Sequence, residues 1–178
     1  MICSSQLING VLPINILCTG QDNSYLKIPY CFPWDFNMDV RNFNNSYPVI
    51  THSPCQQWSR LKHFAKVNLD EKELSYLCYR FVESNGGIFE HPAGSSFFKY
   101  INKKSQVISI NQSWFGYPAE KRTYLYFNNC IPGQLPLSFD AIEKRVSDLS
   151  KFNRSFTTLT FAYWLTSSVR DSLNFSYI

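Results

Sequence analysis

The sequence lacks the segments that mark secreted and membrane proteins. No basic residue precedes Lys27, so the N-terminus has no charged region of a secretory signal. The longest uncharged run near the C-terminus, residues 155–169, is short and rich in Ser and Thr, and it does not predict a membrane span. We therefore expect a cytoplasmic protein that makes no contact with a membrane.

The sequence also lacks a cysteine framework for disulfides or zinc. Its six cysteines are scattered over positions 3, 18, 31, 55, 78 and 130. No two of them form a Cys-x-x-Cys pair, and without a secretory signal the expected state is the reduced thiol. The zinc-deaminase pattern is incomplete as well, because Trp58 stands where Pro-Cys-x-x-Cys requires its second cysteine.

The chain does contain enough apolar residues for one folded domain. Its 178 residues are 44% hydrophobic and 17% charged, without any low-complexity tract. The aromatic content of 17% predicts mainly core packing, although some rings could instead stack on bases. The net charge is +4, and residues 51–133 carry this surplus with ten basic and six acidic side chains. This balance is compatible with a phosphate-bearing ligand but does not require one.

Strand and helix patterns alternate along the chain, which predicts an α/β fold. Residues 22–45 look like a loop because they contain Pro29, Pro33 and several Asn. The predicted strands are 14–18, 48–52, 88–90, 106–110 and 122–127, and the predicted helices are 56–65, 69–84, 139–149 and 160–170. We expect a single domain over residues 1–178 with a mostly parallel sheet, a core at 48–128 and a C-terminal helical segment at 138–172.

The helix predicted at 69–84 has the clearest boundaries. Asp70 can act as its N-cap, with Glu73 three residues later in a capping-box arrangement. The glycines at 86 and 87 predict its end. A strand, this helix and a second strand then form a βαβ unit, whose strands should be parallel. Cys55 and Glu90 should therefore lie at the same edge of the sheet, where α/β proteins bind ligands.

Three segments together resemble one known family. They are SPCQQWS (53–59), GGIFEHPAGS (86–95) and WFGYPAEKRTYLYF (114–127). C5 cytosine methyltransferases have a Pro-Cys-Gln loop after a strand and a Glu at the end of the next strand. A later hairpin reads (Tyr/Phe)-Gly-x-Pro-Gln-x-Arg-x-Arg before an apolar strand. The resemblance covers residues 48–128, and small phage-encoded methyltransferase-like proteins look most similar.

The resemblance implies a reduced Rossmann-like methyltransferase fold and a role for each matching residue. Cys55 would be the nucleophile that adds to C6 of a pyrimidine, with its pKa lowered by a basic neighbour or a helix N-terminus. Glu90 would hold the N3 side of the ring and share its proton. Lys121 or Arg122 would hold the base or a phosphate. The remaining substrate-binding candidates are Gln56, His91 and Thr123.

The family resemblance also implies a cofactor and partners. S-adenosylmethionine is the cofactor of the family, but its Phe-x-Gly-x-Gly turn is missing, because TGQDNSYLKIPY follows the first strand here. DNA or a nucleotide would be the substrate, in the host cytoplasm if the chain is phage-encoded. A second copy or a partner chain could supply the missing cofactor half.

Other interpretations of the same residues stay open. Cys55 could be an inert buried thiol, and Glu90 could cap the turn at His91. A metal could bind His52, Cys55, Glu90 and His91, or Cys55 could pair with either histidine as a hydrolase nucleophile. A protein that has lost its cofactor half could also bind a nucleotide or nucleic acid without chemistry, for example to block a host system.

Overall fold

A six-stranded sheet forms the centre of the protein. The computed structural model describes residues 7–20, 24–35, 37–59, 68–136 and 144–172. The strands are β1 (Ile14–Thr19), β2 (Cys31–Asp35), β3 (Val49–Thr51), β4 (Gly87–Pro92), β5 (Val107–Asn111) and β6 (Arg122–Asn128). They lie side by side in the order β2-β1-β3-β4-β6-β5.

The sheet is mixed, whereas the sequence predicted a mostly parallel one. β1 pairs in parallel with β2 and β3, and β3 pairs in parallel with β4. β6 runs against both of its neighbours, β4 and β5. Only residues 112–121 connect β5 to β6, and such a short connection suits antiparallel neighbours. The α/β class is confirmed, with a parallel half and an antiparallel half.

Helices cover both faces of the sheet. They are α1 (Leu69–Asn85), α2 (Phe97–Tyr100), α3 (Lys151–Ser155) and α4 (Leu159–Asp171). Short 3-10 helices lie at Ser24–Lys27, Val40–Asn42, Gln56–Trp58, Lys104–Gln106, Gln112–Phe115 and Val146–Asp148. α4 packs with one hydrophobic cluster, whereas α1 and α2 pack with a second one. Successive strand residues alternate between these two faces.

The βαβ unit predicted around α1 is present, and a glycine is essential to it. Gly86 caps α1, since its N–H donates to the carbonyl of Val82. Gly87 begins β4 with φ +120°, and a Cβ built there would lie 1.9 Å from the carbonyl oxygen of Val49. Only glycine therefore allows β4 to pair this closely with β3.

The start of α1 differs from the prediction. Its N-cap is Asn68, whose side chain accepts a hydrogen bond from the N–H of Glu71. Asp70 instead lies inside the first turn, so the capping box of Asp70 and Glu73 is not formed. Asn and Asp cap helices about equally well, and the earlier residue gives the longer helix.

Other boundaries also differ from the prediction. Residues 31–35 form β2 although 22–45 look like a loop, because an edge strand tolerates Pro33. β4 continues through His91 to Pro92. Of the helix predicted at 56–65, residues 56–58 are a 3-10 helix and 60–65 lie outside the described residues. Of that predicted at 139–149, residues 139–143 lie outside them and 146–148 are a 3-10 helix.

The remaining elements agree with the sequence. The predicted strands at 14–18, 48–52, 106–110 and 122–127 and the helix at 160–170 are confirmed within one or two residues. Among the helices that the structure describes, none is long and apolar enough to cross a membrane.

Candidate active site

The candidate site lies at the carboxyl ends of the parallel strands. After β1 the chain adds β2 on one side of that strand and β3 on its other side, so a topological switch point lies between β1 and β3. Open α/β sheets bind ligands outside the carboxyl ends of the strands at such a point. The loop from His52 to Cys55 follows β3 at this position. Glu90 lies in the neighbouring strand β4, one residue beyond the last position that pairs with β3, and is 9% exposed.

Glu90 is held by two side chains on the face of the sheet that α4 covers. Its Oε2 is 3.3 Å from His52 Nδ1, and its Oε1 accepts a hydrogen bond of 3.4 Å from Gln112 Nε2. Thr123, which is fully buried, accepts a second bond of 2.9 Å from the same Gln112 nitrogen. Glu90 is thus part of a polar cluster that also contains His52 after β3, Gln112 after β5 and Thr123 in β6.

Tyr25 extends this cluster behind His52. Its hydroxyl is 2.8 Å from His52 Nε2. Burial, together with the charge of Glu90, raises the pKa of Tyr25 well above its ordinary value, so the phenol keeps its proton and donates it to Nε2. Nδ1 of His52 then carries the hydrogen that faces Glu90. Tyr25, His52 and Glu90 form a continuous hydrogen-bonded chain.

Glu90 is ionised at neutral pH. Burial alone would raise the pKa of its carboxyl, but the hydrogen bond from His52 and the positive charge of Lys121 lower it below the ordinary value of 4.5. An ionised carboxylate accepts hydrogen bonds, so it fits a ligand edge that offers N–H groups.

Lys121 lies in the same neighbourhood, just before β6. Burial lowers the pKa of its ammonium, and the charge of Glu90 acts in the opposite direction. Its Nζ donates to the carbonyl of Phe156 at 3.4 Å and lies 4.7 Å from the centre of the Tyr117 ring. Arg122, the next residue, is exposed and lies on the other face of the sheet, so only Lys121 joins Glu90.

Cys55 is a protonated thiol. Burial raises its pKa to about 12, the carboxylates of Glu90 and Glu71 add to this rise, and Lys121 opposes it. The lowered pKa that was expected for the Cys55 thiol is therefore wrong. The basic neighbour is present, but burial and two carboxylates outweigh it.

The backbone beside Cys55 explains why no helix terminus assists the thiol. The N–H groups of Gln56 and Gln57 both donate to Glu71 Oε1, at 2.6 and 3.2 Å. A carboxylate from α1 thus already occupies the donors that would otherwise stabilise a thiolate. The side chain of Gln56 is exposed.

His91 lies in the aromatic core, away from the other candidate residues. It is fully buried, and its Nδ1 is 2.8 Å from Ser95 Oγ. Nε2 lies 3.3 Å from the carbonyl of Pro54, which also accepts from Ser75. Burial lowers the pKa of His91 to about 4, so the ring is neutral. His91 therefore supports the loop before Cys55 and lies on the opposite face from Glu90.

The geometry disfavours two of the alternative interpretations. Both ring nitrogens of His52 and of His91 already have partners other than Cys55, so neither histidine is oriented as the base of a Cys–His pair. Within the described parts of the chain, no group of three or more His, Cys, Asp or Glu side chains could hold a metal ion.

The residues described after β1 do not fit S-adenosylmethionine as the family binds it. Gly20 is the only glycine there, and between residues 24 and 31 the chain forms a four-residue 3-10 helix in place of a long helix. Such a turn offers no helix N-terminus for a ligand. Asp35, at the carboxyl end of β2, stands where doubly wound sheets present a carboxylate to a ribose, but its Oδ1 already accepts from the N–H of Asn37.

Sequence reasoning missed two members of the cluster. Tyr25 lies in the segment that looked like a loop, and Gln112 precedes the hairpin motif without being part of it. No local pattern distinguishes either residue. Their roles follow from the tertiary structure, which brings them to His52 and Glu90.

Comparison with known proteins adds no assignment. The chain matches no known protein family, and no curated protein matches it. The chemistry of the site is therefore inferred from its own residues and geometry.

Proposed function

We propose that this protein modifies a pyrimidine base in DNA or in a nucleotide, with Cys55 as the nucleophile. C5 methylation of cytosine is the simplest reaction of this class. The proposal includes the fold, as a reduced Rossmann-like methyltransferase domain. The parallel β3-α1-β4 unit supports it, because the Cys and Glu motifs lie at the same edge of that unit.

The observation that carries the proposal is the shared electrostatic environment of three residues. Lys121 lowers the pKa of both Cys55 and Glu90, and Glu90 raises the pKa of Cys55. A nucleophile, a carboxylate and a cation from three different segments therefore share one electrostatic environment, as groups that act on one ligand must. His52 and Gln112 fix the carboxylate in place.

The proposed chemistry is an addition whose protons balance. The sulfur of Cys55 forms a bond to C6 while the C5–C6 double bond breaks, and electron density moves to C5 and N3. The ionised carboxylate of Glu90 takes up the proton that the thiol loses and passes it to N3, so one proton leaves sulfur and one arrives at the ring. C5 then takes a methyl group from a methyl donor, whose leaving group departs with the bonding electrons. A base removes the C5 hydrogen as a proton, the C5–C6 double bond reforms while the C6–S bond breaks, and the proton on N3 returns to the sulfur.

The pKa of Cys55 favours a second candidate function. A thiol with a pKa of about 12 reacts slowly unless a ligand changes its surroundings. The protein would then be a module that binds a nucleotide or nucleic acid at the same cluster without chemistry. In that case ligand binding depends on Lys121 and Glu90 but not on Cys55.

Hydrogen exchange at C5 separates the two functions without a co-substrate. Reversible addition of Cys55 to C6 makes C5 exchange its hydrogen with solvent, so a cytosine oligonucleotide in D2O gains one deuterium per base. We expect exchange with the wild-type protein and none above background with Cys55→Ser, because the hydroxyl is a far weaker nucleophile. Glu90→Gln should also slow it strongly, since an amide cannot pass a proton.

Cys130→Ser is the matched control for this experiment. Cys130 is another partly buried thiol whose pKa burial raises to about 12, but it lies beside Gly87 at the other end of β4. Its substitution should leave the exchange unchanged. Exchange that survives in Cys55→Ser, or wild-type protein that binds cytosine DNA without exchange, would contradict the enzyme and leave the binding module.

A further inference from the structure

A pocket lies on the outer face of α1, and Glu90 is not part of its lining. Its volume is about 510 Å³, which is in the range of ligand sites. One wall is the stripe of α1 that contains Lys72, Tyr76 and Arg80, and the other wall is made by Trp58 and Tyr100. Trp58 belongs to the turn that follows Cys55, so the pocket adjoins the candidate active site.

The pocket presents aromatic rings to solvent. Tyr76 is 46% exposed and Tyr100 is 68% exposed, whereas 11 aromatic side chains of the described residues are buried. The rings of Trp58 and Tyr100 are 5.1 Å apart, and Trp58 is anchored by an edge contact with Phe97. Exposed rings around one cavity indicate a binding site for a flat ligand.

Positive charges flank these rings. Lys72, Tyr76 and Arg80 follow one another at four-residue intervals on α1, so the backbone positions of the two cations lie about 12 Å apart along the helix, with Tyr76 between them. The ammonium of Lys72 is 5.7 Å from the centre of the Trp58 ring. Among the lining residues that the structure describes, Glu73 is the one carboxylate, and the two cations outnumber it. The pocket therefore complements a ligand with flat faces and anionic links.

From these features we propose that the α1 pocket binds an unstacked nucleotide of single-stranded DNA. The inference rests on the proposed function, since DNA is the substrate there. An aromatic side chain stacks on the flat face of a base. In a duplex the neighbouring base pairs cover that face, whereas an unstacked base of a single strand exposes it. The protein accordingly prefers single-stranded DNA to a duplex of the same sequence.

The test is DNA binding measured by fluorescence anisotropy with a labelled 12-nucleotide strand and its duplex. The wild-type protein should bind the single strand more tightly. Tyr100→Ala should weaken this binding about tenfold and leave the weaker duplex binding unchanged, because one stacked base is lost. Tyr100→Phe keeps the ring and should behave like the wild type.

Two further variants separate the pocket from a general effect of the surface. Tyr163→Ala removes a ring of α4 that is 44% exposed on the other face, and it should change nothing. Arg80→Gln should reduce the slope of log affinity against log salt by about 0.7, as one phosphate contact is lost. Lys27→Gln, at an exposed position on another helix, should leave that slope unchanged.

The outcomes distinguish this inference from the proposed function. Equal affinity for single strand and duplex, or no binding of either, overturns the inference, and so does full single-strand affinity in Tyr100→Ala. If C5 exchange that depends on Cys55 persists in that case, the proposed function stands. If single-strand binding depends on Tyr100 but no C5 exchange occurs, the inference about the α1 pocket is supported and the proposed enzymatic function is contradicted.

Discussion

The two faces of the sheet differ sharply at the same edge, as its two described histidines illustrate. His52 follows β3 on the face covered by α4, and its ring nitrogens bond Tyr25 and Glu90. His91 lies in β4 on the face covered by α1, and its nitrogens contact Ser95 and the carbonyl of Pro54. One histidine belongs to a polar cluster with an ionised carboxylate, and the other belongs to the core.

The difference shows that neighbours in sequence do not share a site. Glu90 and His91 are adjacent, and so are Lys121 and Arg122, but successive strand residues point to opposite faces. Glu90 and Lys121 lie on the face that α4 covers, whereas His91 and Arg122 lie on the face that α1 covers. Which residues can act on the same ligand therefore depends on strand pairing, because the pairing determines the face of the sheet on which each side chain lies.

The largest expected effect comes from breaking that pairing at Gly87. Gly87→Ala adds a Cβ that meets the backbone of Val49, and the position has φ +120°. We expect a loss of more than about 4 kcal/mol in the free energy of unfolding, measured with urea. Gly10→Ala is the control, because Gly10 has φ +77° but nothing within 4 Å. It should cost about 1–2 kcal/mol, and equal losses in the two variants would contradict the close-contact explanation.

A smaller effect should distinguish the core histidine by pH. The folded state holds the pKa of His91 at about 4, below its ordinary value of 6.5, so the unfolded chain binds more protons between these values. The contribution of His91 to stability therefore falls as the pH is lowered through this window, by about 2 kcal/mol between pH 7 and pH 5. His91→Leu should remove that part of the pH dependence in urea unfolding. An unchanged pH dependence would mean that His91 is not buried as a neutral ring.

The smallest expected effect concerns the adjacent pair before and in β6. Lys121→Ala should weaken the binding of a cytosine nucleotide about fivefold, and more at low salt, because an ionic contact is lost. Arg122→Ala should leave binding unchanged, since that side chain lies on the other face. Titration calorimetry at two salt concentrations measures both variants, after their melting temperatures have been checked. A larger loss in Arg122→Ala would place the ligand on the wrong face for this site.

Local patterns predicted much of the fold because they depend on neighbours in the chain. The β-branched run at 48–52, the end of α1 at Gly86 and the apolar periodicity of 160–170 each carry their own physical signal. The predicted start of α1 was wrong because Asn68 and Asp70 are equally good N-cap residues. β2 was missed because Pro33 is an argument against a strand unless that strand lies at an edge.

The sequence by itself determined the α/β class, the βαβ unit and the edge at which Cys55 and Glu90 follow parallel strands, because strand direction and helix ends are encoded locally. The tertiary structure alone decided the chemistry of that edge. Burial and two carboxylates keep Cys55 protonated, His52 and Lys121 keep Glu90 ionised, and Tyr25 and Gln112 join the cluster. A pKa depends on the charges and solvent around a group, and those come from segments that are distant in the chain.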